Sequence, residues 1–365
     1  MDRLFLIDAS GYLYRAYFAI QGLSGKEGEA TNALFGFIRS YFKLKDEFHP
    51  EYLVSIFDGE RSKESRTKIY ADYKAHREHA GQDLIAQILE AEHFCHLAGI
   101  SSLSMKGVEA DDTIASVVEW GKKQAKEVYI VTQDKDLMQL VDDRTKIINP
   151  AKGNILIDRE KVKELFHIPP EQIADFLAIC GDASDNVPGV SGIGPKGAVD
   201  LLTKYHTLDN ILAHVDEIGG KKAEMLKKEK EVALLSQKLV ALNYTLDVPR
   251  DKEFYKLKEP DWAHLKEFFK KKSFTSLLSL VPRVKEERKT LYHIIEDEKE
   301  LQDLVEKLLK EKEICIDTET TSEHPLKAEL VGIGLASNEK DAYYIPVNGK
   351  IAKEQVIQTL RPLFE

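Results

Sequence analysis

Cysteine is scarce in this 365-residue chain and long apolar runs are missing, and each shortage removes a class of protein. Cys95, Cys180 and Cys315 are far apart and odd in number, so they build neither a disulfide framework nor a cysteine-rich zinc site. A reducing cytoplasm suits such a chain. The opening MDRLFLIDAS meets Asp8 after only four apolar residues, which reads as a strand rather than a signal peptide or a membrane span. No later segment has the length and apolarity of a span, so no membrane partner is expected. Positive charge is also in the minority, with 52 Lys and Arg against 62 Asp and Glu. Attraction of the whole surface to nucleic acid is therefore not expected, and any such contact has to come from a local basic patch.

The length exceeds one ordinary core and favours more than one domain. Short apolar runs alternate with amphipathic ones: LFLI at 4–7, helices through Tyr12–Ala19 and Ala33–Leu44, YLVSIF at 52–57, a helix at 83–99, another at 110–125, then VYIVT at 128–132. This rhythm predicts an α/β fold with a mainly parallel central sheet flanked by helices. From Arg159 to Leu246 the pattern turns helical, interrupted by GDASDNVPGVSGIGPKGA. VPRVKEERKT has no apolar periodicity and reads as a linker at 281–290, beyond which a second α/β unit starts with LYHII.

The acids carry the chemistry. Asp8 follows LFLI, Asp58 follows the VSIF run, Asp134 and Asp136 follow VYIVT, and GVEADDTIASVV places Glu109, Asp111 and Asp112 at a helix start. Ligands of open α/β sheets sit outside the carboxyl ends of strands, so these acids are expected on one edge, joined by Asp182 and Asp185 of the Gly-rich segment. Two bare carboxylates ~4 Å apart repel by roughly 4 kcal/mol at an effective dielectric near 20. Such a cluster must protonate, spread or bind cations. All-oxygen ligands without nearby His or Cys select Mg²⁺ or Mn²⁺ over zinc, two or more ions in number, and such ions suit phosphodiester hydrolysis. Taken singly, Asp111 or Asp112 reads as a helix cap or first-turn acid and Asp8 as a turn residue.

Arg61, Lys63, Arg66, Lys68, Lys74 and Arg77 lie between Asp58 and Gly81, with Tyr70 and Tyr73 interleaved. This segment suits phosphates and exposed bases, or else a solvated helix face with pairs such as Glu64 and Lys68. In VPGVSGIGPKGAVDLL a glycine-rich turn feeds a helix at Lys196. It is either a phosphate-binding helix start or a plain connector.

Together LIDASGYLYRAYFA, FDG with SRTKIYADYKAHR, GVEADDTIA, VTQDKDLMQLV and GDASDNVPGVSGIGPKGA resemble, over about residues 1–280, the 5′ nuclease domain of bacterial DNA polymerase I and, more distantly, the flap endonucleases. The resemblance implies a PIN-like catalytic domain with a helical arch at 1–170 and a helix–hairpin–helix subdomain at 171–280. It implies metal ligands Asp8, Asp58, Glu109, Asp111, Asp112, Asp134, Asp136, Asp182 and Asp185. Lys74 would steer the scissile phosphate, with Arg66 and Arg15 as further phosphate contacts. Tyr73 and Arg77 would line the strand's path, and Gly189, Gly192, Gly194 and Lys196 would grip the duplex. The implied substrate is DNA with 5′ flaps, nicks or RNA primers, handled by a monomer. Ser65 stands where the family commonly has Phe, and Gln133 replaces a small residue. ICIDTETTS in the 291–365 unit resembles the first motif of the 3′–5′ proofreading domain, implying an incomplete RNase H-like unit with Asp317 and Glu319 as a candidate metal pair. Two other readings compete with the nuclease: a junction-binding module that does not cut, and a small-molecule phosphatase built on Asp8.

Overall fold

A computed structural model describes residues 1–76, 81–282, 291–322, 324, 327–338 and 340–364. The chain divides into two compact units, Met1–Pro282 and Arg283–Glu365. Arg77 and most of the expected linker lie outside the described residues.

The first unit grows around β1 (Arg3–Asp8), whose LFLI run is apolar at consecutive positions because it is buried from both sides. Leu4 and Leu6 pack into one hydrophobic layer, Phe5 and Ile7 into the opposite one. There follow α1 (Ala9–Ala19), α2 (Asn32–Phe48), β2 (Tyr52–Ile56), the single-turn α3 (Glu64–Thr67), α4 (Gln82–Leu97) and β3 (Ser101–Leu103). Then come α5 (Ala110–Gln124), β4 (Glu127–Val131), β5 (Thr145–Asn149) and β6 (Ile155–Ile157). The six strands run in the order β3-β2-β1-β4-β5-β6, all neighbours parallel except the β5–β6 pair. The expected mainly parallel sheet is therefore present. Strands β3 and β6, of three residues each, carry no period for patterning to read.

Because β1 lies between β2 and β4, the chain leaves it on one side and returns on the other. That switch of direction opens a crevice at the carboxyl ends of β1 and β4.

The helical stretch holds α6 (Arg159–Phe166), α7 (Ile173–Cys180), α8 (Pro195–Tyr205), α9 (Leu208–Ala213), α10 (Val215–Ile218), α11 (Gly220–Lys228) and α12 (Lys230–Val240). Leu177, Leu202 and Leu239 join the hydrophobic layer of Leu4, Leu6 and Ile114. After α13 (Lys252–Tyr255), helix α14 (Trp262–Lys271) packs Leu265 and Phe269 into the opposite layer with Phe5 and Phe37. The core thus runs through the boundary drawn at 170/171, because helices on both sides of it cover the same sheet.

The second unit contains β7 (Leu291–Ile294), α15 (Glu298–Leu308), β8 (Cys315–Thr320), β9 (Leu330–Ala336), β10 (Asp341–Pro346) and α16 (Lys353–Leu360). Its sheet order is β7-β10-β9-β8, with only the β7–β10 pair parallel. Leu301, Leu304, Val305, Val356 and Leu360 of the two helices cover one face over Ile333, Leu335 and Ile345. Among the described residues no helix is long and apolar enough to cross a membrane.

Candidate metal centre and nucleic-acid interface

Asp8 ends β1 and caps α1. One carboxylate oxygen accepts from the Gly11 N–H at 2.9 Å and the other from the Thr132 hydroxyl at 2.7 Å. A Cβ at position 11 would stand 2.3 Å from Asp8 Oδ2, so glycine there makes room for the carboxylate. Asp58, two residues past β2, takes the Ala110 N–H at 2.9 Å on Oδ1, while its own N–H donates to Ser10 Oγ at 2.8 Å. That bond ties the start of α5 to the sheet edge and brings Glu109, Asp111 and Asp112 there, where the helix dipole favours negative charge. Asp134 follows β4; its N–H donates to Thr132 Oγ1, and its Oδ1 accepts from the Asp136 N–H, both at 2.9 Å.

A third set of acids arrives from the loop after α7. Asp182 and Val187 exchange two backbone hydrogen bonds at 2.9 Å, closing a small loop that carries Asp185. Oxygens of Asp136, Asp182 and Asp185 lie within 4.8 Å of one another. The crevice thus gathers acids from three strand ends, one helix start and one distant loop.

Within the cluster the nine expected ligands divide by partner. Arg66 Nη1 donates to Glu109 Oε2 at 2.6 Å and to Asp112 Oδ2 at 2.7 Å, and Nη2 reaches Asp112 Oδ1 at 2.9 Å. The Asn243 N–H donates to Asp112 Oδ1 as well. Asp112 therefore has both oxygens engaged, by Arg66 and by the Asn243 N–H. The reason is helical geometry, since Asp111 and Asp112 sit about 100° apart on α5 and face different neighbours. Lys74 Nζ lies 2.7 Å from Glu109 Oε1 and 3.3 Å from Asp185 Oδ2. Its backbone has φ of 53°, held by its N–H donating to Asp185 O at 3.0 Å. Lys135 Nζ donates to Asp182 Oδ1 at 2.6 Å.

Arg66 and Lys74, with side chains 8% and 7% exposed, are paired with carboxylates of the cluster. Tyr73 is buried and its hydroxyl donates toward Glu109 and Asp185, both at 3.2 Å, so it does not line an open path. Burial of this many acids demands cations, and the chain supplies its own from the basic segment. That segment is also no solvated helix, since α3 spans only Glu64–Thr67.

Burial, added to the charge on Asp134 and opposed by hydrogen bonds from Thr132 and Gly11, pushes the Asp8 carboxyl up to about 6. Asp111 and Asp136 rise well above the usual carboxylate range, again from burial first and then from Asp134. Burial would raise Asp182 too, but Lys135 and Ser184 outweigh it and hold that acid below its ordinary value. Asp134 thus repels three buried acids at once. Arg15 meets it at 3.7 Å and donates to Gln133 O at 3.0 Å.

The residues fit divalent metal. Every donor is a hard oxygen, and among the described residues Asp136 Oδ1 is buried with no hydrogen-bond partner. A cleft of about 500 Å³ reaches the cluster, lined by Ser10, Tyr14, Arg15, Asp58, Lys63 and Asp134 among others. Thr132 and Lys135 were the residues that motif reading passed over. The signal for Lys135 was present, a cation between two acids in QDKD.

At the glycine-rich loop, Gly192, Gly194 and Lys196 are exposed around the start of α8, as a backbone-gripping turn requires. Gly189 is a correction. It is buried at φ +65°, where a Cβ would stand 2.2 Å from Gly181 N, and its N–H donates to Ser236 Oγ at 3.0 Å. It shapes the loop from inside. In the second unit, Asp317 and Glu319 alternate on one face of the edge strand β8, both exposed.

A doubly wound sheet with an oxygen-only acid cluster at its switch point suits metal-dependent chemistry at a phosphate. Residues 3–167 match the N-terminal resolvase-like domain of 5′–3′ exonucleases, 168–263 their C-terminal SAM fold, and 292–365 a 3′–5′ exonuclease. A 5′–3′ exonuclease of Aquifex aeolicus is 39% identical over 78% of this chain and 96% of its own length. The chain belongs to the 5′–3′ exonuclease family. A DNA polymerase I of Borreliella burgdorferi is 36% identical and matches across the whole chain, which spans 44% of that relative; one of Pseudomonas aeruginosa is 32% identical, with 42% of its length spanned. Among solved structures, the T5 D15 protein co-crystallised with metal ions superposes with a TM-score of 0.55 at 19% identity, over 65% of this chain and 88% of its own. The catalytic core of Rad2 in complex with DNA substrate gives 0.53 at 18%, over 77% and 93%. These two share the fold.

Proposed function

We propose that the first unit hydrolyses phosphodiesters of DNA or RNA at 5′ flaps, nicks and RNA primers, using Mg²⁺ or Mn²⁺. The observation that carries this reading is the acid cluster at the β1/β4 switch point, in which Asp136 Oδ1 is buried with no hydrogen-bond partner among the described residues. Asp8, Asp58, Asp111 and Asp134 would hold one ion, and Asp136, Asp182 and Asp185 another. Such ions supply an activated water and charge stabilisation at the phosphate. Arg66 and Lys74 hold Glu109 and Asp185 in place from behind. Arg15, 45% exposed in its side chain beside the cleft, and Lys63 on the cleft wall provide positive charge for the phosphate. Gly192, Gly194 and Lys196 bind the duplex backbone at the start of α8. In this division residues 1–170 cut with the aid of Asp182 and Asp185, the rest of 171–280 grips, and 291–365 contribute the Asp317–Glu319 pair of a second nuclease unit. The protein works as a monomer in the bacterial cytoplasm, in the primer removal and excision repair that accompany a DNA polymerase I.

The test is cleavage of a 5′-labelled flap duplex with Mg²⁺, beside EDTA and Asp134→Ala controls. Short 5′ products should appear and fall by at least about 1,000-fold in Asp134→Ala, with flap binding retained. Tight flap binding without any cutting would replace the nuclease with a junction-binding module.

A further inference from the structure

Arg66, Lys74 and Lys135, three of the cations paired with the acid cluster, differ in how they can leave it. Arg66 is held at five points: Glu109, both oxygens of Asp112, and the carbonyls of Leu239 and Ala241. Lys74 is bound to two acids and its side chain is 7% exposed. Lys135 makes a single ion pair, to Asp182 at 2.6 Å, and its side chain is 44% exposed while that of Asp182 is 2% exposed. Its partner belongs to the one trio, Asp136, Asp182 and Asp185, whose oxygens lie within 4.8 Å of each other among the described residues. Beside the pair, Asp136 Oδ1 is buried and has no hydrogen-bond partner among the described residues.

We infer that Lys135 is a resident, displaceable counter-ion of this trio: it occupies Asp182 when no metal is present, competes with an arriving divalent ion, and swings to solvent when the ion binds. This rests on the metal reading above. The physical case is one of alternatives. An oxygen of Asp182 that accepts an ammonium hydrogen at 2.6 Å has that lone pair engaged, and a cation coordinating the same oxygen would stand against a like charge. At the trio itself Lys74 is enclosed on Asp185 whereas Lys135 on Asp182 has a solvent route, so adjustment falls to Lys135. Lys135 therefore weakens metal binding at the trio while relieving repulsion among its acids in the metal-free protein.

The experiment is a Mn²⁺ titration of the full chain without nucleic acid, reading free Mn²⁺ by electron paramagnetic resonance. Lys135→Gln should bind Mn²⁺ roughly fivefold more tightly at the site that Asp182→Asn eliminates, as expected for loss of one half-exposed competing ion pair. Lys135→Arg should keep the wild-type affinity, and thermal melts show whether each variant is folded. Unchanged or weaker Mn²⁺ binding in folded Lys135→Gln overturns the inference, as does equal tightening in Lys135→Arg. Absence of Mn²⁺ binding in wild type and Lys135→Gln alike would overturn the metal reading itself, and this inference with it.

Discussion

The chain carries acids in two settings. In the first unit they are folded inward at a sheet switch point, with Arg66 and Lys74 enclosed among them. In the second, Asp317 and Glu319 project from an edge strand whose six residues are all exposed. The difference teaches that acid type and spacing do not set the electrostatic state of a site. Water screens an exposed pair, whereas a buried cluster raises its own protonation and recruits cations. Only the first group has been forced into a high-energy arrangement that a divalent ion would relieve.

The comparison breaks most readily at Arg66. Arg66→Ala leaves Glu109 and Asp112 buried without their shared cation, and should destabilise the first unit by about 3–5 kcal/mol in urea unfolding. A loss no larger than that of an exposed ion pair would mean the cluster is as well solvated as Asp317 and Glu319.

A pH series sharpens the contrast. Asp8, raised to about 6 in the folded chain against 3.8 for an ordinary aspartate, binds more protons folded than unfolded between those values. Metal-free stability should therefore fall as pH rises through that window, by at most about 3 kcal/mol from this group, and stay low above it. Asp111 and Asp136 shift in the same direction. Added Mg²⁺ should raise Tm of the first unit strongly at about pH 7.5 and little at about pH 5, where protons already relieve the repulsion. Equal shifts at both values would separate metal binding from the buried acids.

The smallest effect belongs to the second unit. Asp317→Asn and Glu319→Gln should each change its stability by less than about 0.5 kcal/mol and leave flap cleavage untouched. A larger change in either would show the edge strand to be under electrostatic load.

Much of the scaffold was legible from residue order. An uninterrupted LFLI run suits a strand buried on both faces, and acids that closely follow the carboxyl ends of parallel strands fall on one sheet edge. Asp8, Asp58, Asp134 and the start of α5 were placed by that reasoning alone. The role of each charged side chain was not legible, because it depends on partners far away in sequence. Arg66 and Asp112 are 46 residues apart, and Tyr73 and Asp185 are 112 apart. The sequence by itself determined the types of the longer elements, the acid inventory and the edge on which the strand-end acids collect, since these follow from local periodicity and chain direction. Only the tertiary structure decided that Asp112 pairs with Arg66, that Arg66, Lys74 and Tyr73 are interior partners, and that Lys135 keeps a route to water. Burial and Coulomb energy are set by the distances to all neighbours at once, and no short motif records them.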